Sequence, residues 1–167
     1  REAAALTLLS SVLGGSGATS VLGERLEFEE QTAVFTAAYY SGQSLDQTTF
    51  SLLAVPSPGT TLEEIEAAVD REVGAFRERG VDEDQLERIK AQWRASEIYA
   101  LDDVQGLARI YGSALTQGLT VEDVEAWPSI IQSITGEEII AAAERVFDRD
   151  RSVTAYLTTP LTEEVSQ

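Results

Sequence analysis

The stretch from Leu13 to Val55 constrains this chain most, because it runs from a glycine-broken apolar helix through a charged helix into a β-hairpin. Leu6, Leu8, Leu9, Val12 and Leu13 mark an apolar helix over Glu2–Leu13. It meets Gly14 and Gly15, residues that end helices cheaply because they tolerate positive φ. Ser16, Thr19 or Ser20 can cap a second helix, expected over Ser20–Glu30, whose surface carries Glu24, Arg25, Glu27, Glu29 and Glu30. The β-branched and aromatic run Ala33–Tyr40 then predicts a strand, Ser41–Gln47 its turn, and Thr48–Val55 the returning strand.

Beyond Val55 the chain reads mostly as helix. Thr61 stands at capping-box spacing from Glu64, and Ile65, Val69, Val73 and Phe76 recur every three or four residues up to Gly80. Asp82 can cap a long helix with Leu86, Ile89 and Trp93 as its stripe. A helix over Asp103–Gln117 is expected to bury Leu107, Ile110, Tyr111 and Leu115. A short one begins at Thr120 and is expected to stop near Pro128. Another starts at Thr135 and buries Ile139, Ala143, Val146 and Phe147, and a last strand is expected over Ser152–Thr158.

Neither face of the expected hairpin is strongly polar: Val34, Thr36, Ala38 and Tyr40 alternate with Phe35, Ala37 and Tyr39. A sheet face left in water should be polar, so helices belong on one face and a partner or domain surface on the other. The fold class is therefore α+β, an antiparallel sheet covered on one face by a helical layer. A single domain over residues 1–160 and a tail over 161–167 are expected.

Composition narrows the chemistry. The chain of 167 residues is large enough for a real core, and with 43% hydrophobic residues it should fold. A net charge of −17 opposes phosphate backbones and anionic lipid, so neither nucleic acid nor a membrane surface is an expected partner. No apolar run approaches the roughly 20 residues that span a bilayer. There is no cysteine and no histidine, which removes thiol chemistry and the usual nucleophile-base pairs and leaves only Ser-Lys and Ser-carboxylate arrangements open. A zinc site needs three protein ligands, and carboxylates alone suit magnesium or calcium better. No metal or catalytic residue is therefore assigned to this chain.

The tempting patterns have plainer readings. Gly14-Gly15-Ser16-Gly17 lacks the Gly-Lys-Ser/Thr ending of a phosphate loop and follows a helix rather than a strand. Adjacent carboxylates on a helix point about 100° apart, so Asp102-Asp103 and Glu137-Glu138 suit caps and first-turn charges better than a cation site. Tyr39, Tyr40, Trp93 and Trp127 are expected to pack rather than stack on a ligand.

Four segments in order resemble the C-terminal half of an M16 (pitrilysin or insulinase-type) zinc peptidase. Leu13-Gly14-Gly15, Ser20-Val21-Leu22 and Glu29-Glu30-Gln31-Thr32-Ala33 match its leucine-rich helix, glycine turn, S-R-L helix start and E-E-Q-x-x-A passage. Pro56-Ser57-Pro58-Gly59 with Leu62, Glu63 and Ile65 matches its P-x-P-G-x-x-x-E strand-to-helix passage. Gly80 to Lys90 resembles its G-V-T-x-x-E-L-x-x-x-K signature, with Gln85 where Glu is usual. The likeness extends to Tyr156. It implies the architecture of mitochondrial processing peptidase-like domains, with a further strand expected just before Arg1, so the chain reads as a piece of something longer.

In that family zinc sits on an H-x-x-E-H helix of the N-terminal domain, and the C-terminal-type domain closes the chamber. Many members hold substrate with an Arg and a Tyr from the latter. Laying L-R-E-K-R-G-L-A-Y on Leu26–Val34 puts Glu27 at the Arg position and Val34 at the Tyr position, so both are replaced. A carboxylate cannot donate a guanidinium's paired hydrogen bonds, and valine has no hydroxyl. Val34, Phe35, Thr36, Ala37 and Ala38 are the strand expected to face an extended peptide.

The resemblance implies the non-zinc domain of a bacterial peptidase whose parent holds zinc in its N-terminal domain. The implied partners are that domain, a second M16 subunit carrying the Arg-Tyr pair, and a peptide substrate; the implied compartment is the periplasm. A non-catalytic scaffold subunit of an M16-like complex is the alternative, and a free-standing binding module a third reading.

Overall fold

The structure is a computed structural model that describes residues 1–158 apart from Ser16, Gln43, Leu45 and Leu101. The expected tail over 161–167, the cap expected of Ser16 and part of the Ser41–Gln47 turn lie outside the described residues.

Helix α1 (Glu2–Gly14) is apolar nearly all round, and a helix of that kind belongs inside a fold. Leu8, Leu9, Val12 and Leu13 are wholly buried, and α1 packs on β1 and against three other helices. A short 3₁₀ turn (Gly17–Thr19) leads into a π-helix (Gly23–Glu29). Ser20 caps the helical turn at Val21 that leads into it, its Oγ accepting from Gly23 N at 3.2 Å.

Strands β1 (Ala33–Tyr40) and β2 (Phe50–Pro56) form a two-stranded antiparallel sheet. Tyr40 pairs with Phe50 and Phe35 with Val55, with a bulge between Ala33 and Phe35. Thr36, Ala38, Tyr40, Phe50, Leu52 and Ala54 turn to the helical side, where Tyr40 stacks on Phe50 and Phe50 meets Phe147 edge-on at 5.3 Å.

Helix α2 (Leu62–Arg79) opens with the Thr61–Glu64 capping box and ends at Gly80, whose φ of 85° needs a glycine. Helix α3 (Glu83–Ala100) is capped by Asp82, which accepts from Gln85 N at 2.7 Å. Helices α4 (Val104–Thr116), α5 (Val121–Ser133) and α6 (Gly136–Val146) follow, and Thr120 and Thr135 each close a capping box. Ile131, Ile139, Ala142 and Ala143 complete the core against α1. The result is the α+β fold, a sheet with helices on one face.

Four expectations need correction. Gly15 is right-handed helical at φ −77°, so the glycine pair is not there for positive φ; a Cβ on Gly14 would instead run into the backbone of β1. Pro128 lies inside α5 rather than ending it. A proline deletes one backbone hydrogen bond to the preceding turn, and α5 runs on to bury Ile131. Along α4 only Ala114 is buried, while Ile110 and Leu115 stay exposed because α4 packs on α5 alone among its larger contacts. Residues 152–158 form no strand: Thr154 and Tyr156 instead hydrogen-bond the Glu66 carboxylate of α2, and Val153 and Leu157 stand free.

Candidate functional site

The face of the hairpin turned away from the helices is apolar and uncovered. Phe35 is 46% exposed, Tyr39 53%, Leu53 45% and Val55 41%. Phe35 pairs with Val55 and Ala37 with Leu53, so the register gathers these side chains on one side of the sheet. Val34 in the bulge and Phe28 at the end of the π-helix are exposed as well. Bare apolar area on a sheet marks a contact surface. The two-sided alternation in the sequence foreshadowed this face. The expectation that Tyr39 packs within this chain fails, whereas Tyr40, Trp93 and Trp127 do pack against the core.

Of the expected peptide-facing strand, Val34 and Phe35 are exposed, while Thr36, Ala37 and Ala38 are buried. Glu27 and Val34, which stand at the family's Arg and Tyr positions, are not brought together. Val34 points into the open, whereas the Glu27 carboxylate turns back on β1, where Oε1 accepts from both Thr36 N and Thr36 Oγ1 at 2.6 Å. Neither position supplies a group that could hold a substrate carbonyl. The Glu27–Thr36 bond spans distant positions, and no spacing in the sequence announces it.

Beside this site Glu72, nearly buried, accepts from Arg71 Nε at 3.1 Å and lies 3.9 Å from Arg25 Nε. Arg71 also reaches Glu30, so a chain of alternating charges fastens the π-helix to α2.

No group of three or more His, Cys, Asp or Glu side chains that could hold a metal ion occurs among the described residues. With no histidine or cysteine anywhere, the donor set does not fit zinc. Asp102-Asp103 and Glu137-Glu138 both lie at helix starts: Glu138 closes the Thr135 capping box, whereas Asp103 holds the N-cap position of α4 without a side-chain capping bond. Gly14 and Gly15 cradle protein rather than phosphate. No described helix is long and apolar enough to cross a membrane.

An α+β domain with a bare apolar sheet face, and with no metal-holding cluster among the described residues, is the class that fold and site define. The family model described as "Peptidase M16 inactive domain" matches residues 1–93, and the chain belongs to that family. No curated protein matches it. Among solved structures it is similar to a protease from Helicobacter pylori, at 18% identity and a TM-score of 0.81, covering 89% of this chain and 35% of that one. It is similar to a protein from Bordetella pertussis Tohama I named as a zinc protease, at 14% identity and TM-score 0.79, covering 93% of this chain and 85% of that one. A peptidase M16 inactive domain from Pseudomonas fluorescens gives 17% identity and TM-score 0.67, covering 87% of this chain and 34% of that one. The chain thus spans about a third of the length of the Helicobacter and Pseudomonas chains.

Proposed function

We propose that this chain is the C-terminal-type, non-zinc-binding domain of a bacterial M16 zinc metallopeptidase, closing a peptide-degrading chamber against a zinc-bearing N-terminal domain. The observation that carries this reading is the bare apolar face of β1 and β2, in a chain that has no histidine or cysteine and no metal-holding cluster among its described residues. Hydrolysis would take place on the N-terminal domain of the parent, where a metal ion can polarise a peptide carbonyl. This chain's part is to wall the chamber and to hold the domain contact through Phe35, Tyr39, Leu53 and Val55. The compartment that goes with this reading is the periplasm.

The loss of both family substrate-holding residues at Glu27 and Val34 supports a second subunit carrying the Arg and Tyr, with activity appearing only in the two-chain complex. It equally supports the alternative of a non-catalytic scaffold in an M16-like complex. The full-length parent should therefore be assayed for zinc content and peptidase activity, alone and mixed with the product of its neighbouring gene. Zinc in the parent with activity on mixing is the expected result. No zinc and no activity in either case would overturn the peptidase reading in favour of the scaffold.

A further inference from the structure

Strand β1 has one edge on β2 and one edge facing away from it. In an antiparallel pair, successive N–H groups along a strand point alternately into and out of the pair. The Thr36 N–H goes to Glu27 and not to β2, so it belongs to the outward set. The acceptor comes from the π-helix, whose wide turn is closed by Glu30 N donating to Arg25 O at 2.9 Å. π-turns are rare in helices and recur at functional sites. Here the turn brings Glu27 Oε1 to the outward Thr36 N–H, which thereby has the kind of acceptor that a neighbouring strand's carbonyl would supply. A second bond, from Thr36 Oγ1, holds the carboxylate there. Two positions away, the bulge between Ala33 and Phe35 breaks the regular spacing of the same edge.

We propose that Glu27 is an edge guard, closing β1 to strand addition and specifically keeping β1 of one copy from pairing with β1 of another. Unpaired edges recruit strands, and inward-turned charges are one way proteins prevent it. The residue at the family's substrate-holding Arg position has then become a device that denies this edge to an added strand, leaving the sheet face as the contact surface. The inference rests on the Glu27–Thr36 geometry alone and not on the peptidase reading.

The test compares the native chain with Glu27→Ala and Glu27→Gln by amide hydrogen exchange and by sedimentation equilibrium at physiological salt, where long-range charge repulsion is screened. At low concentration the Thr36 amide of Glu27→Ala should exchange at least about tenfold faster, while the core amides of Leu8 and Leu9 keep their protection. At high concentration this variant should self-associate at least about tenfold more tightly, by about 1.4 kcal/mol. Glu27→Gln, which keeps a neutral acceptor, should fall between the two and decides the exchange result if the alanine variant does not fold. Unchanged Thr36 exchange, or no gain in association, would overturn the proposal. So would association abolished by adding Tyr39→Lys, since that would run through the bare face rather than the edge.

Discussion

Gly14 of α1 lies against the backbone of Ala38 in β1, so close that a Cβ on the glycine would sit 2.2 Å from the Ala38 nitrogen. This contact sets how near the central helix lies to the sheet. In a helix, alanine is favoured over glycine by about 1 kcal/mol. The clash is with backbone, which cannot swing aside, and forcing an extra methyl into a packed site costs about 1–3 kcal/mol or more. Gly14→Ala should therefore destabilise by about 2 kcal/mol net, read as a lower urea midpoint at unchanged m-value.

Gln85 stands where the family usually has Glu, and the structure gives the reason. Its amide donates to Thr19 O at 2.7 Å and to Val12 O at 3.4 Å, tying α3 to the end of α1 and the turn after it. A carboxylate cannot donate and would face two carbonyl oxygens in a buried site. Gln85→Glu should cost about 2 kcal/mol at neutral pH. The loss should shrink below about pH 4, where a protonated carboxyl can donate one bond, which parallel denaturation at two pH values would check.

Arg1 grips Glu138 with two bonds, Nε to Oε1 at 2.7 Å and Nη2 to Oε2 at 2.8 Å. The Arg1 hydrogen bond and the Thr135 backbone N–H hold the Glu138 carboxyl down at about 2. A carboxyl with a depressed folded pKa stabilises above its unfolded value and loses that contribution as pH falls toward its folded value. The acid limb of stability between about pH 4.5 and 2 should flatten in Glu138→Gln. A thermal-melt series across that range reads the difference, and an unchanged slope would contradict it.

Phe35 and Leu53 contact solvent on the bare face, being 46% and 45% exposed. Exposed substitutions usually stay within about 0.5 kcal/mol. Phe35→Ser and Leu53→Lys should therefore leave the melting temperature of this chain nearly unchanged. On the proposed domain contact, the same substitutions in a full-length parent should weaken the docking of the two domains, seen as faster limited proteolysis between them.

Local signals in the chain were reliable where the structure they specify is itself local. Thr61, Thr120 and Thr135 predicted helix starts, and all three close capping boxes, because a cap joins residues only three positions apart. An apolar run located α1, apolar periodicity located α2, and the two-sided alternation of Phe35 to Tyr40 pointed to a face the helices do not cover. Periodicity misled along α4, where Leu115 has the right spacing but no neighbour to bury it. It misled again at residues 152–158, because a strand needs a partner across space and this segment found Glu66 instead.

The chain by itself determined that histidine and cysteine are absent, that three helices start at threonine caps, and that the hairpin carries apolar residues on both faces. These depend on side-chain chemistry and on spacings within a turn or two. Only the tertiary structure decided that Glu27 seals the edge at Thr36, that Gln85 must donate to Thr19, and that Gly14 is required by Ala38 rather than by a turn. Each of those depends on the distance between elements brought together by the core, and no pattern along the chain encodes that distance.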